Sequence, residues 1–456
     1  MRVRSLWHFN EFTFFVLDYV LLLGAVICAF KLSPKYEFDI LDGIWLRPPL
    51  YLIGYGMPLC MALGLQLAGV QRSQAGFRAV ETFVRTAIGL VAGIAVFVMV
   101  HAVLKFELIG RFVLIFSLAY GVAYILGSRL LVWKLAERQS RNVLIYGRRQ
   151  VCSLVTHAVV QSQLPIRVVG FTRQMADDGV YAGFISIAGL GLHGYCEKHS
   201  IEEIIVEVPD ALAPAEREAL LYCTGQGINV VDLHYFFEHN LERVNIEGLK
   251  ESWFWSYDPS HAHPVYYVSK RAIDVVVSII GLIAFAPFAP LMVLLIKLQD
   301  YGPVIYSQVR TGLYNQPFRI FKFRTMRTDA EKDGAQWASK TDNRVTLIGR
   351  ILRKTRIDEV PQFWNILRGE MSFIGPRPER PEFVDKIEVE VPFYRYRHLI
   401  KPGLSGWAQI NYPYGASVED ARQKLTYDFY YLKYGSMTMD ILIFLRTIVA
   451  MVKGAR

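Results

Sequence analysis

The sequence has few charged residues for its length. Only 20% of its 456 residues are Asp, Glu, Lys or Arg, whereas 53% are hydrophobic, and the mean hydropathy is +0.25. This composition excludes a globally disordered chain and is too apolar for an ordinary soluble enzyme. The length leaves room for about three domains. We therefore expect a membrane protein of several domains.

Closely spaced cysteines are also absent. The chain has five cysteines, Cys28, Cys60, Cys152, Cys196 and Cys223, and no two of them form a CxxC motif. This spacing implies neither a disulfide framework nor a zinc ribbon. Reduced thiols facing the cytosol fit the pattern best.

The first third of the chain contains long hydrophobic runs. Residues 12–30 are apolar apart from Asp18, and residues 48–70, 87–104 and 112–126 carry no charge. The last run continues past Arg129 to residue 133. A helix of about 20 apolar residues spans the roughly 30 Å hydrocarbon core, so residues 1–133 are predicted to form a four-helix transmembrane bundle. Basic residues precede the first run, separate the second from the third, and follow the fourth. By the positive-inside rule, both ends of this bundle are cytoplasmic.

Residues 134–263 have a different pattern. Short β-branched runs at 142–147, 167–171, 203–208 and 227–233 alternate with helical stretches, which predicts a parallel sheet in a Rossmann-like α/β domain. The glycine-rich fingerprint of a dinucleotide site is missing, because Arg148 and Arg149 follow Gly147. We expect a structural or regulatory domain. Phosphate binding by the two arginines remains the alternative.

A further uncharged run of 22 residues covers 275–296. Length alone would make it a fifth span. However, both flanks are basic, and Pro287 and Pro290 interrupt the helix near its middle. We predict a re-entrant helix over about 273–297 that breaks at Pro287 and returns to the cytoplasmic side. An ordinary kinked span is the alternative.

Two adjacent carboxylates, Asp358 and Glu359, are the candidate catalytic residues. They stand among Arg353, Arg356 and Arg377, whose positive charges favour ionised carboxylates and attract phosphates. A carboxylate can attack phosphorus to form a covalent acyl phosphate. The alternative is structural: Asp358 would be the N-cap of the following helix. That helix is expected to bury Val360, Phe363, Trp364 and Leu367.

At these residues the chain resembles the bacterial sugar transferases, which are polyprenyl-phosphate phosphoglycosyl transferases with a monotopic, mainly helical catalytic domain. The resemblance runs from about Val268 to the C-terminus, within a predicted catalytic domain of residues 264–456, and the preceding regions resemble the long form of the family. It rests on these motifs: Lys270-Arg271, Gly302-Pro303-Val304, the run 321–326, Asp358-Glu359, Pro361-Gln362, the run 375–378 and the run 401–407. The chain departs from the family at Ala286-Pro287, where Ser-Pro is usual.

The resemblance implies a role for each matching residue. Asp358 is the implied nucleophile, and Glu359 is implied to bind Mg²⁺ or to assist proton movement, with both carboxylates as the implied metal ligands. Arg353 and Arg377 are implied to contact substrate phosphate. Lys322 and Arg324 are weaker candidates for phosphate contact, and a structural basic role is the alternative for both.

The implied reaction transfers a sugar 1-phosphate from a UDP-sugar to undecaprenyl phosphate and releases UMP. Glucose or galactose is the expected sugar, and the reaction would initiate exopolysaccharide or O-antigen synthesis. The implied location is the bacterial inner membrane, in contact with membrane lipid, with the catalytic domain on the cytoplasmic face. A homodimer is left open.

Two other classes of function are alternatives to this one. A non-catalytic membrane scaffold for polysaccharide assembly would not need the Asp-Glu pair. A nucleic-acid-binding protein would be basic, and residues 264–456 hold 28 Lys and Arg against 18 Asp and Glu. The bases are interspersed with apolar segments and no recognition motif is present, so lipid and nucleotide phosphates explain the charge better. We expect no nucleic-acid partner.

Overall fold

The computed structural model describes the protein over residues 11–32, 52–68, 70, 79–103, 111–137, 140–162, 164–171, 191–207, 212–255, 264–330, 343–412, 415 and 417–452. The chain forms two compact units, Met1–Leu241 and Glu242–Arg456.

The first unit begins with four helices, α1 (Glu11–Lys31), α2 (Met57–Leu67), α3 (Ala79–Val103) and α4 (Arg111–Glu137). Glycines allow α2 and α3 to approach closely: a Cβ atom added to Gly64 would lie 2.1 Å from the carbonyl oxygen of Gly89. Small residues play this role in membrane helices. Arg129 on α4 donates to Asp18 on α1 at 2.6 Å, and this buried ion pair links the first and last of the four helices.

Three of the four predicted spans are long enough to cross a bilayer, at Thr13–Lys31, Thr82–Ala102 and Arg111–Val132. The second predicted span, 48–70, differs. Among its described residues, a π-helical turn, Leu52–Gly56, precedes α2, which has only 11 residues. The fourth long apolar helical segment lies instead in the second unit, at Tyr266–Gln299.

The rest of the first unit is an α/β layer structure. Its strands are β1 (Arg141–Tyr146), β2 (Ile166–Phe171), β3 (Glu203–Val206) and β4 (Asn229–Asp232). They form a parallel sheet in the order β2-β1-β3-β4, which confirms the predicted parallel sheet. Its helices are α5 (Arg149–Gln161), α6 (Gly191–Lys198), α7 (Pro214–Gly225) and α8 (Leu233–Leu241).

Arg148, in the turn after β1, is paired with the carboxylate of Glu207, which follows β3. Glu207 accepts hydrogen bonds at 2.7 Å from the backbone N–H and from Nε of Arg148. A protein carboxylate therefore lies at the start of α5, where a bound phosphate would compete for the same donors. This pairing favours the structural interpretation of Arg148.

The second unit consists of helices, a hairpin and a small parallel strand pair. Its helices are α9 (Ser252–Trp255), α10 (Pro264–Phe285), α11 (Ala289–Asp300), α12 (Leu347–Thr355), α13 (Gln362–Arg368), α14 (Pro381–Glu390), α15 (Trp407–Asn411), α16 (Val418–Tyr434) and α17 (Met437–Val452). Its strands are β5 (Ile305–Thr311), β6 (Pro317–Phe323), β7 (Ser372–Ile374) and β8 (Gly403–Ser405). β5 pairs antiparallel with β6, and β7 pairs parallel with β8. The segment before α9 packs within this unit, since Trp407 donates its indole N–H to the carbonyl oxygen of Glu242 at 3.0 Å.

The apolar helix of this unit is broken at Pro287. A 3₁₀ turn, Ala286–Phe288, separates α10 from α11, because proline cannot donate the backbone hydrogen bond that would continue the α-helix. Few residues of the segment Tyr266–Gln299 are buried by the described part of the protein, which leaves most of its apolar surface for lipid.

The start of α10 is anchored by charged side chains. Lys270 donates to Asp440 on α17 at 2.6 Å, and Arg271 donates to the carbonyl oxygens of Ile366 and Leu367 at 2.6 and 2.7 Å. These two carbonyls lie in the last turn of α13, where helices leave acceptors without intrahelical partners. The basic pair predicted from the motif thus ties the broken helix to the element that follows Asp358 and Glu359.

Candidate active site

The two carboxylates lie in a 3₁₀ turn, Ile357–Glu359, between α12 and α13. The structure excludes the alternative role of Asp358 as an N-cap: α13 begins at Gln362 and its N-cap position is held by Pro361. The turn is 3₁₀ because backbone bonds run three residues back, from Glu359 to Arg356 and from Val360 to Ile357. Pro361 has no N–H with which to add an α-helical bond. The carboxylate of Asp358 is therefore not used for capping.

The prediction of which side chains α13 buries is also partly wrong. The indole of Trp364 is 53% exposed, whereas the polar residues Gln362 and Asn365 are buried. Asn365 fixes α13 to the strand β6: its Nδ2 donates to the carbonyl oxygen of Arg319 at 2.7 Å, and its Oδ1 accepts from the N–H of Phe321 at 3.1 Å. This register places the next residue of β6, Lys322, beside the carboxylates.

Glu359 is surrounded by cations. Its Oε1 accepts hydrogen bonds from Arg356 and Arg377, both at 3.1 Å, and lies 3.6 Å from Nζ of Lys322. Arg356 reaches it from a left-handed backbone conformation, φ 59°, at the end of α12. The sequence shows Arg356 as a neighbouring charge but does not identify it as a site residue. Its position three residues before Glu359 was the available signal, since residues at that spacing can meet on one side of a helical turn.

Asp358 is buried beside this cluster, but its Oδ1 has no hydrogen-bond partner among the described residues. Most buried polar atoms are paired, so an unpaired carboxylate oxygen requires an explanation, such as a catalytic role or contact with a bound ion or water. Nε2 of the buried Gln362 also has no partner within the described part of the chain. The sequence shows Gln362 as part of the Pro361-Gln362 motif but does not indicate what this side chain does.

The pKa values of the two carboxylates move in opposite directions. Burial raises the pKa of Asp358, and the charge of Glu359 raises it further, while Lys322, Arg353 and Arg377 oppose the shift. For Glu359 burial also acts upward, but Arg377, Lys322 and Arg356 prevail and lower its pKa to about 2. Glu359 therefore stays ionised, and a proton taken up by the pair belongs on Asp358.

The cations differ in how they are held. Burial lowers the pKa of Lys322 to about 8, against the attraction of Glu359. Burial acts in the same direction on Arg377, but Glu359 outweighs it and raises the pKa of that guanidinium. Arg353 donates from Nε to Oγ1 of Thr325 at 2.9 Å. Its charge acts on Asp358, so the structure brings Arg353, Lys322 and Arg377 together around the pair.

Arg324 has a different position. Its buried guanidinium packs against Gly302, where an added Cβ atom would lie only 1.9 Å from Nη1. Gly302 belongs to the Gly302-Pro303-Val304 motif, so one reason for glycine there is the space that Arg324 occupies. This packing favours the structural role among the two that the sequence left open for Arg324.

The family model for bacterial sugar transferases matches residues 265–454, which include every residue of this site. A glucose-1-phosphate transferase of Caulobacter vibrioides that uses UDP-glucose and undecaprenyl phosphate is 41% identical over 181 residues, 39% of this chain and 68% of the relative. An exopolysaccharide production protein of Rhizobium leguminosarum bv. phaseoli is 39% identical over 189 residues, 40% of this chain and 94% of the relative.

The chain belongs to the bacterial sugar transferase family. This confirms the resemblance seen in the sequence. A UDP-N-acetylgalactosamine-undecaprenyl-phosphate N-acetylgalactosaminephosphotransferase of Aeromonas hydrophila is 43% identical over 245 residues, 54% of this chain. The chain spans only 57% of that relative's length.

Proposed function

We propose that the protein transfers a sugar 1-phosphate from a UDP-sugar to undecaprenyl phosphate, with Asp358 as nucleophile. The proposal rests on the different surroundings of the two carboxylates, Asp358 and Glu359. Glu359 is engaged by Arg356, Arg377 and Lys322, while Oδ1 of the buried Asp358 has no partner among the described residues. A carboxylate oxygen free of hydrogen bonds keeps its lone pairs for attack on phosphorus.

The proposed reaction has two displacements at the same phosphorus. An oxygen of Asp358 forms a bond to the sugar-linked phosphorus of the UDP-sugar, and the bond from that phosphorus to the bridging oxygen breaks, releasing UMP. An oxygen of undecaprenyl phosphate then attacks the phosphorus, and the bond to Asp358 breaks, which restores the carboxylate. The product is a sugar linked to undecaprenyl diphosphate.

Arg353, Arg377 and Lys322 would stabilise the negative charge on the transferring phosphoryl group. Such groups act most strongly when they are already in place before the reaction. Arg377 and Lys322 are held by Glu359, and Arg353 is held by Thr325. Phosphoryl transfer depends mainly on this combination of positioning and charge.

Mg²⁺ is part of the proposal. It binds through one or two carboxylates together with substrate phosphates and water, and the adjacent buried carboxylates of Asp358 and Glu359 fit that donor set. Asp358 and Glu359 would hold the ion. When bound, Mg²⁺ would neutralise charge on the phosphates.

The proposed membrane arrangement is re-entrant. α10 and α11 would enter the bilayer, turn at Pro287 and return to the cytoplasmic side of the inner membrane, where UDP-sugars are available. The 3₁₀ break and the basic residues at both flanks support this arrangement over a kinked span.

The sugar is the open variable in the proposal. Glucose and galactose are the sugars expected from the sequence, and the names of the relatives add N-acetylgalactosamine to glucose. The decisive experiment supplies membranes containing the protein with undecaprenyl phosphate, Mg²⁺ and each of these UDP-sugars. The released nucleotide is identified by chromatography, and Asp358→Asn membranes are the control.

Release of UMP with one sugar, lost in the variant, would establish phosphosugar transfer and identify the donor. Release of UDP would mean direct glycosyl transfer and overturn the mechanism. No release with any donor would favour the scaffold alternative.

A further inference from the structure

The loop that carries Arg377 is held through four consecutive carbonyl oxygens. The carbonyl of Pro376 accepts from the N–H of Gly403 at 2.9 Å, and that of Glu379 accepts from the N–H of Thr311 at 2.9 Å. Between them, the carbonyl of Arg377 accepts from Nη2 of Arg397 at 3.1 Å. The carbonyl of Pro378 accepts from Nη1 of Arg310 at 3.3 Å.

The sequence of this loop explains why its carbonyls matter. Pro376 and Pro378 have no backbone N–H, so two of the residues around Arg377 cannot fix the loop by donating hydrogen bonds. The two prolines restrict φ, but the position of the loop must be fixed by hydrogen bonds that its carbonyl oxygens accept. The donors come from β5, β8 and the 3₁₀ helix Tyr394–Leu399, which are distant from the loop in sequence.

Arg397 is the most deeply buried of the side-chain donors. It is 4% exposed, and its partner Asp428 on α16 is 1% exposed. Nε and Nη2 of Arg397 contact Oδ2 of Asp428 at 2.9 and 2.7 Å, and Nη1 donates to the hydroxyl of Tyr394 at 3.2 Å. A guanidinium bound at several nitrogens has one orientation, which is the property needed to fix a neighbouring carbonyl.

The chain of contacts reaches the catalytic pair. Asp428 orients Arg397, Arg397 holds the backbone of Arg377, and the guanidinium of Arg377 contacts Glu359 at 3.1 Å. We propose that Arg397, oriented by Asp428, is a positioning residue that places Arg377 for phosphate contact and for its pairing with Glu359. This inference rests on the proposed function, because it concerns the same transfer reaction.

The test is a double-mutant cycle on kcat/KM for UMP release, using Arg397→Lys, Arg377→Lys and the double variant. A lysine at 397 keeps the charge beside Asp428 but cannot also hold the Arg377 carbonyl in the same geometry. We expect Arg397→Lys to lower kcat/KM on the order of 100-fold, the scale of a 1 Å misplacement. In the Arg377→Lys background the further loss should be less than about threefold, since the positioned group is already gone.

Arg395→Lys is the matched control. Arg395 lies on the same 3₁₀ helix but contacts Glu388 and Asp385 rather than the Arg377 loop, so this variant should leave kcat/KM unchanged. If Arg397→Lys does not fold, Asp428→Asn replaces it in the same cycle. That substitution keeps the shape of the side chain and removes the charge that orients Arg397.

If Arg397→Lys lowers kcat/KM by the same factor in the wild type and in Arg377→Lys, then Arg397 acts on the fold generally. That result would overturn the inference. No loss from Arg397→Lys would overturn it as well. A wild-type protein that releases no UMP with any donor would instead reject the proposed function on which the inference rests, so the two failures are distinguishable.

Discussion

Glu359 and Arg377 are joined by a 3.1 Å hydrogen bond between Oε1 and Nη2, although 18 positions separate them in the sequence. The same oxygen accepts a hydrogen bond from Arg356 and lies 3.6 Å from Nζ of Lys322. Glu359 therefore holds together the cations that surround Asp358. Substitutions at these positions should distinguish the proposed nucleophile from the residues that organise its surroundings.

Asp358→Asn should abolish the first half of the reaction. The amide keeps the size of the side chain but is a poor nucleophile, so UMP release should fall at least about 10³-fold. A donor labelled at the sugar-linked phosphate, supplied without lipid acceptor, should leave label on the denatured wild-type protein and none on the variant.

Asp385→Asn is a suitable control, because this carboxylate on α14 is 65% exposed and pairs with Arg395 outside the site. It should label like the wild type. Label on the Asp358→Asn protein would exclude Asp358 as the nucleophile.

Glu359→Gln should change both the rate and its dependence on pH. Loss of the carboxylate leaves Arg377, Arg356 and Lys322 without their shared partner, and kcat should fall on the order of 100-fold. The charge of Glu359 raises the pKa of Asp358, so its removal should let Asp358 ionise at a lower pH. The acidic limb of the kcat/KM profile should move to lower pH, and a move to higher pH would contradict the proposed coupling.

Lys322 should set an alkaline limit to activity. Its pKa is lowered to about 8, so the ammonium is protonated below that pH and loses its charge as the pH rises through it. If this charge stabilises the transferring phosphate, kcat/KM should fall with a midpoint near 8.

Lys322→Arg tests this assignment, because a guanidinium remains charged throughout the range. The variant should lose the alkaline limb even if its maximal rate is reduced. Lys354→Arg, at an exposed position of α12, should keep the limb. An unchanged midpoint in Lys322→Arg would assign the limb to another group.

Gly281→Ala should destabilise the contact between α10 and α13. An added Cβ atom would lie 2.4 Å from the ring of Phe363, and such overpacking costs about 1–3 kcal/mol. The temperature at which half the activity is lost in lipid nanodiscs should fall. Gly127→Ala on α4 is the matched control, since a Cβ atom there meets nothing within 4 Å. Equal inactivation temperatures for the two variants would contradict the close packing at Gly281.

Much of the secondary structure could be predicted because its causes are local. The four β-branched runs became β1–β4 with shifts of a few residues at their ends, since buried parallel strands read as short apolar runs. The interruption of the apolar helix was evident from Pro287, which removes a backbone donor wherever the chain folds. The length of α2 could not be read in the same way, because hydropathy does not show where a π-helical turn interrupts a helix.

The candidate site was predicted in part. The charges near Asp358 and Glu359 in the sequence indicated phosphate chemistry, and the motifs added Lys322 and Arg377. The sequence did not distinguish capping by Asp358 from a free carboxylate, because that depends on where α13 starts. Nor did it show the exposure of Trp364 or the burial of Gln362 and Asn365, which follow from the packing of α13 against β6 and α10.

The sequence by itself determined the membrane character, the family, the parallel sheet and the adjacency of Asp358 and Glu359 among basic residues. Each of these is carried by composition, by periodicity or by residues close together in the chain. Only the tertiary structure decided which cations share Glu359, that Oδ1 of Asp358 has no partner among the described residues, and that Arg397 holds the loop of Arg377. These relationships join residues on separate elements, and hydrogen-bond and ionic contacts depend on distances of a few ångströms that the spacing of residues along a chain does not contain.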